Sequence, residues 1–566
     1  MTAAINSFVP GTHIAYFSME IALRPEMHTY AGGLGGLAGD TARSCADLQI
    51  PVVFVTLVSR AGYFRQEIDA EGRQTEAADW WDPATFCVAL NAMVAVDIGG
   101  RPVWVRPWLY VHVCPHGHEI PVLLLDTDLD QNVAEDRALT HFLYGGDEIY
   151  RLKQELVLGL GGIRLLRALG FDLHTYHMNE GHPAFLTLEL LNRHRLPPED
   201  VRPGESHYDI AEVRERCVFT THTPVEAGSD RFSYALFEGL VDGLVEIDEI
   251  RQLAGSQMLN MTQLALNTSG YINGVARRHA ETTRQMFPGY HVHAVTNGVH
   301  AGFWTHDAFA RLFNKHAPRW RHEPETLVRA LTLADDDVWA AHQVAKIELI
   351  GRVRETTGMA FDADKPILGF ARRMTGYKRP LLLFSDIERL VRVAEKYPFQ
   401  IVVAGKAHPH DENGKDAIRQ VYAVARRLQG RVPCVFLPGY DLDVAKAFIS
   451  GSDVWLNTPL PPLEASGTSG MKAALNGVLN LSVLDGWWIE ACIEGVTGWS
   501  IGADGDGASA AHAVLLYDKV EQVVLPQYYA DRSAWCQMMK QAIGMIGYYF
   551  NSQRMMRRYA SEAYLR

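Results

Sequence analysis

Short apolar runs of strand length recur along the chain, separated by segments of helical period. They are IPVVFVTLV (50–58), EIPVLLLD (119–126), RCVFTTH (216–222), PILGFARR (366–373), FQIVVAG (399–405) and VPCVFLP (432–438). Such runs belong to strands covered on both faces, and the intervening helices supply the cover, so the pattern predicts an α/β protein with parallel sheets. RLKQELVLGLGGIRLLRAL (151–169), ALFEGLVDGLVEI (235–247) and HQVAKIELIGRVRETTG (342–358) carry apolar residues near i, i+3, i+4, i+7 and are predicted helices. The 566 residues allow about four ordinary domains or fewer large ones. A polar, largely helical stretch (305–360) after TNGVHAGFW (296–304) divides two α/β halves, predicting Rossmann-like lobes at 1–305 and 306–530. The amphipathic end, AWCQMMKQAIGMIGYYFNSQRMMRRYASEAYLR (534–566), predicts a helical segment from 531 to 566 that packs back on the first lobe, with its Met and Tyr residues as core.

Composition limits the partners. With 53 Lys and Arg against 66 Asp and Glu, the net charge of −13 disfavours nucleic acid and anionic membrane, so a phosphate-bearing ligand needs a local basic pocket. No apolar run approaches the roughly 18 residues of a membrane helix, and the first residues do not read as a secretory signal, which predicts a cytoplasmic protein. Seven cysteines without C-x-x-C spacing predict reduced, buried thiols.

Several segments carry possible chemistry. TYAGGLGGLAGD (29–40) can bring amides close to an anion at a helix start, or simply make a tight turn. ARRMTGYKRP (371–380) sets Arg372, Arg373, Lys378 and Arg379 at the carboxyl end of a predicted strand, where α/β sheets bind ligands, and Lys406 repeats that layout. Like charges so close need an anion or carboxylates between them. In NTPLPPLEASGTSGMKAALNG (457–477), Lys472 falls in the first turns of a helix opened by a polar loop. It suits a Schiff-base lysine for pyridoxal phosphate, a phosphate clamp, or a plain surface lysine. HVCPHGH (112–118) as a strand would put His112, Cys114, His116 and His118 on one face, yet nothing completes a zinc pattern and no metal is predicted. There is no G-x-S-x-G elbow and no Walker A loop.

Taken together, EASGTSGMK (464–472), RRMTGYKR (372–379), GGLGGLA (32–38), MNEGHPAF (178–185), TTHTPVEAG (220–228), YINGVARRH (271–279) and TNGVH (296–300) resemble, in order and spacing, the α-glucan (glycogen, starch, maltodextrin) phosphorylases, over about residues 14–500. The resemblance implies a GT-B type glycosyltransferase fold with the active site in the cleft between two lobes. It also implies reversible, retaining phosphorolysis of α-1,4-glucan to glucose 1-phosphate. The implied cofactor is pyridoxal 5′-phosphate on Lys472, with Tyr440, Thr468, Arg372 and Gly32, Gly33 and Gly35 around it, its phosphate exchanging a proton with the substrate phosphate. Arg373 and Lys378 are the implied substrate-phosphate ligands, His222 the residue whose backbone carbonyl faces the sugar, and Asn297, Glu464, Ser466, Gly467 and His182 the implied substrate contacts. Physical chemistry agrees: a phosphate dianion stabilises positive charge developing at C1, and a second ionisation near 6 suits proton transfer at neutral pH.

Dimers are common in the family the chain resembles, which allows a homodimer, although no sequence patch reads as an interface. The chain is shorter than the regulated animal and plant members and its start does not resemble their effector segments, so allosteric control of that type is not expected. Thr375 and Gly376 stand where the family reads H-E, and Gly36 where an arginine is common, which bears on effector response and acceptor preference. Two rival functions fit the same fold: a nucleotide-sugar-dependent, glycogen-synthase-like transferase and a catalytically silent glucan-binding relative.

Overall fold

A computed structural model describes residues 3–225, 228–503 and 509–565. Glu226 and Ala227 of the TTHTPVEAG segment lie outside the described residues. The first half is built on a ten-stranded sheet. Its parallel part runs Val292–Ala294, Tyr271–Gly274, Cys217–Thr220, Thr175–Asn179, Ile14–Ser18, Val52–Leu57, Glu119–Asp126, and an antiparallel edge is added by Arg101–Val113 and its neighbours. Side chains alternate between its two faces as strand geometry demands. Ala15, Phe17, Val53 and Val55 enter one core, whereas Ile14, Tyr16, Val52 and Phe54 enter the other.

The second half is a six-stranded, wholly parallel sheet in the order Cys434–Leu437, Gln400–Ala404, Ile367–Ala371, Val454–Asn457, Leu479–Val483, Gly498–Ile501. Numbered along the chain this is 3-2-1-4-5-6, the doubly wound order whose switch point lies between Ile367–Ala371 and Val454–Asn457. The basic segment leaves the first of these strands and the EASGTSGMK loop follows the second. Topology alone therefore brings 372–379 and 464–472 together.

The two sheets are joined closely. The hairpin Arg65–Ile68/Gln74–Ala77 reaches across, its Gln66 Nε2 donating to Gly405 O (2.9 Å) and Gln74 Nε2 to Ala407 O (3.0 Å). Thr296 Oγ1 donates to Glu490 (2.9 and 3.0 Å). The terminal helices divide their packing between the halves. Trp535, Met539 and Ile543 join the core of the second sheet. After Asn551 caps a new helix, Ser552–Tyr559, Met555 and Tyr559 join the first. Gly298 permits that crossing, because a Cβ there would stand 2.2 Å from Asn551 O.

Two local expectations fail. The continuous helix over 235–247 is in fact Tyr234–Leu240 and then Ile247–Ala254, interrupted by extended Val241 and by Gly243 at φ +66°. The strand through HVCPHGH ends at Val113, so Cys114, His116 and His118 lie in a turn instead of sharing a face with His112. His116 packs on His322 and His118 meets Gln49, and the four do not converge. Six of the seven cysteines are buried and all are free thiols. Among the described residues no helix is long and apolar enough to cross a membrane.

Candidate active site

The loop ends at the switch point carry the charge. Arg372 follows strand Ile367–Ala371, and Lys378 ends a 3₁₀ turn Gly376–Lys378. Glu464 lies between them, with Lys378 Nζ at 2.5 Å and Arg372 Nη1 at 3.0 Å from its Oε2. Burial would raise the Glu464 carboxyl, but the two cations outweigh it and hold the group at about 2. Burial pushes Lys378 down to about 8, with Arg372 adding repulsion and Glu464 opposing both. Glu464 is thus the carboxylate that lets two buried cations stand side by side.

Lys472 sits in the helix Ser469–Ala474, which Thr468 precedes as its N-cap residue. Its Nζ stands 3.9 Å from the centre of the Trp304 indole, and a Cβ on Gly36 would come within 3.5 Å of it. Burial pulls this amine down to about 8, so the neutral, nucleophilic form is far more accessible near neutral pH than for an ordinary lysine. The glycine segment 32–36 opens the helix Gly33–Leu48 directly against it. A Cβ at Gly35 would meet Glu20 Oε2 at 2.6 Å, and one at Gly32 would meet Arg373 Nη2 at 3.5 Å. Gly467 has φ +82° and packs on Arg372 and Glu464, a conformation a side chain would strain. Tyr440 is half-buried, its hydroxyl pushed up by burial and drawn back by Arg372.

From the other lobe, three strand ends converge beside this cluster. Glu20, just past Ile14–Ser18, accepts from Ala31 N (2.6 Å), Gly32 N (3.0 Å) and Tyr144 OH (3.0 Å). Glu180, past Thr175–Asn179, has φ +73°, rare for a residue with a side chain and a mark of functional loops. It accepts from His222 N (2.7 Å) and Thr223 Oγ1 (3.0 Å), and burial raises it to about 7 against those bonds. His222 donates Nε2–H to Asn179 Oδ1 (2.6 Å) and burial holds it near 3, so its ring is neutral and its role is not that of a proton carrier. His182, held near 4 chiefly by burial, lies 3.6 Å from Asp230 and beside the Tyr144 ring. Asn297 is anchored through its backbone, its N–H to Val275 O and its carbonyl to Arg554.

The site therefore has two contact groups, Lys472 with the glycine turn and Trp304, and Arg372, Lys378, Glu464 and Gly467 together, carried by the shared segment 464–472, with Arg373 facing Gly32. Several buried polar atoms here have no hydrogen-bond partner: Ser466 Oγ, Asn297 Oδ1 and His182 Nδ1. Buried polar atoms are rarely left unpaired, so these donors and acceptors, with a near-neutral lysine and a cationic pocket, fit a polar, anionic ligand carrying an electrophilic carbon near Lys472.

Lys406 and Arg379 do not join that pocket. Lys406 Nζ donates to Phe64 O (3.0 Å) between the lobes, and Arg379 to Thr458 O and Pro459 O (2.8 and 2.5 Å). The acid–His group Glu155, His182 and Asp230 has the spacing of a metal site, but Arg151 already bridges Glu155 and Asp230 at 3.1 Å each. Sequence reasoning missed Glu20, Glu180, Trp304 and Asp485, the last accepting from Glu464 N at 2.9 Å. Glu20 and Glu180 each follow a strand, and Glu180 also lies within the MNEGHPAF motif.

The sequence pattern of the carbohydrate phosphorylase family matches residues 245–497. The chain is 36% identical to a maltodextrin phosphorylase of Thermococcus litoralis, over 97% of this chain and 70% of that one. The chain belongs to the carbohydrate phosphorylase family. A glycogen phosphorylase of Mycobacterium tuberculosis is 36% identical over 98% of this chain and 71% of its own, and one of Aquifex aeolicus 34% identical over 97% and 86%. Membership identifies the two sheets, one mainly parallel with an antiparallel edge and one wholly parallel, as the GT-B type arrangement expected of a carbohydrate phosphorylase.

Proposed function

We propose that the chain is an α-1,4-glucan phosphorylase, transferring a glucosyl unit with retention between the non-reducing end of a glucan and inorganic phosphate to give glucose 1-phosphate. The observation that carries this reading is the buried Lys472 amine, held at about 8 by burial, beside the Gly32–Gly36 turn and one loop away from the Arg372/Lys378 pair. Lys472 would hold pyridoxal 5′-phosphate, with Arg372, Thr468, Tyr440, Gly32, Gly33 and Gly35 about it. When bound, that cofactor supplies a phosphate of near-neutral pKa as proton donor and acceptor toward the substrate phosphate.

The protein's own groups do the rest. Arg373 and Lys378 bind the substrate phosphate and hold its charge near the developing cation at C1. Asn297, Glu464, Ser466, Gly467 and His182 orient the sugar by hydrogen bonds. Glu180 fixes the His222 amide, so that the His222 carbonyl presents its dipole to the sugar. The neutral His222 ring adds no positive charge where an oxocarbenium-like centre forms. The lobes 1–305 and 306–530 contribute the sugar side and the phosphate side respectively, with 531–566 tying them together.

Purified protein is expected to show pyridoxal absorbance that disappears in Lys472→Ala, and to release glucose 1-phosphate from maltodextrin plus phosphate. A colourless wild type without that release refutes the reading. Release of a nucleoside diphosphate from a nucleotide sugar would identify the transferase rival, and glucan binding with no turnover the silent one.

A further inference from the structure

Asp40 lies one turn beyond Gly36 on the helix Gly33–Leu48 and is 1% exposed. Both its carboxylate oxygens accept the Trp304 Nε1–H, Oδ1 at 2.9 Å and Oδ2 at 2.8 Å. The face of the same indole stands 3.9 Å from Lys472 Nζ. Gly36 also approaches the amine but offers no side chain, and the indole is a side-chain face that the amine meets. A carboxylate bound to the indole N–H fixes the ring and enriches its face in electron density, both of which strengthen its hold on a cation.

Besides burial, the charges that face the amine are Asp40, which favours the ammonium, and Arg43, which opposes it, both from the helix Gly33–Leu48. Arg43, from the same helix, lies 3.5 Å from Asp40 Oδ1 and 3.6 Å over the Phe303 ring. Lys446, from helix Leu442–Gly451, stands 3.8 Å from that ring, facing Asp443 and Asp307 as well as Asp40 and Arg43. Three cations thus crowd one buried carboxylate. Arg43 Nη2 is spent on Ala22 O and Leu23 O (3.0 and 2.7 Å), so it does not compete with the indole N–H for the Asp40 carboxylate.

We propose that Asp40 is a positioning residue for Lys472, acting through Trp304: it pins the indole whose face seats the lysine amine. The inference rests on Lys472 being the cofactor lysine. It predicts that removing either the carboxylate or the indole N–H loosens the seat and makes the ammonium less stable.

The test reads Lys472 itself. In full-length, cofactor-freed protein, reductive methylation by formaldehyde and dimethylamine–borane is followed at Lys472 by mass spectrometry as pH rises through about 8. D40N keeps an acceptor but loses the charge, and W304F keeps a ring but loses the N–H. Each is expected to move the reactivity midpoint down by about half a unit to one unit, and the double variant by no more than the larger single shift. An unmoved midpoint in D40N, or shifts that add in the double variant, overturns the proposal, because Asp40 would then act on Lys472 without the indole or not at all. Should D40N not fold, D40E and W304F decide, D40E being expected to keep the wild-type midpoint while W304F lowers it. Uptake of pyridoxal phosphate by the wild type, followed by absorbance, is scored separately. Its failure removes the cofactor reading, while the midpoints still judge Asp40.

Discussion

Lys378→Met is the sharpest perturbation of the site, because one side chain is both a proposed phosphate ligand and a neighbour of the buried carboxylate. Lys378 Nζ lies 2.5 Å from Glu464 Oε2 and Arg372 Nη1 3.0 Å from it, so the variant leaves Glu464 with one cation and should still fold. A charge-assisted hydrogen bond to phosphate contributes about 1.5–3 kcal/mol, which corresponds to roughly a 10- to 150-fold rise in the KM for phosphate. Titration gives a second handle. Burial sets the Lys378 amine at about 8, so it is charged below that pH and neutral above it, and phosphate binding in the wild type should weaken as pH rises through about 8. Lys378→Arg keeps its charge throughout and should lose that alkaline weakening. The assay is the initial rate of glucose 1-phosphate release against phosphate concentration, at saturating maltoheptaose, over a pH series. A phosphate KM in Lys378→Met within about threefold of wild type, or an alkaline limb intact in Lys378→Arg, refutes the assignment.

Glu180 should give the acid limb: it titrates at about 7, chiefly because of burial, so falling pH protonates the acceptor of His222 N–H and activity declines, whereas Glu180→Gln should be slower near neutrality and lack that limb in a pH–rate profile. Asp453→Asn breaks a fully buried group in which Lys346 Nζ and His342 Nε2 each lie 2.9 Å from the carboxylate; urea unfolding should show a loss of about 3–5 kcal/mol. Gly39→Ala would place a Cβ 2.0 Å from Ala22 O and push the helix carrying Gly36 and Asp40 away from Lys472, so both the thermal midpoint and the bound pyridoxal per chain should fall, at a cost of about 1–3 kcal/mol or more.

Strands buried on both faces were legible because a continuous apolar run has few other uses, and all six runs quoted are strands in the structure. The helix over 235–247 was misread because apolar periodicity survives through Val241 and Leu244, while the break is made by backbone conformation at Gly243. The terminal helices were legible as amphipathic, yet an amphipathic stripe does not say which core will cover it. Trp535 and Tyr559 look alike in sequence and pack into different sheets.

The site divides on the same physical line. Lys472, Arg372, Lys378 and Glu464 stand in contiguous segments directly after strands, and chemistry written within one loop can be read from that loop. Lys406 has the same position after a strand and repeats the layout of the basic segment, but its partner is a carbonyl 342 residues away, Phe64 O, which no local pattern encodes. Glu20, Glu180 and Trp304 act only because strand order sets Ile14–Ser18 beside Thr175–Asn179 and folds residues 301–304 against Lys472. The result is a division of charge that composition alone could not show. Cations collect at the switch point of the second sheet, while the first sheet contributes the neutral imidazoles of His182 and His222 together with Glu20 and Glu180. In a chain of net charge −13, that asymmetry would, under the proposed function, orient a phosphate toward one wall of the cleft and leave the other for uncharged hydroxyls.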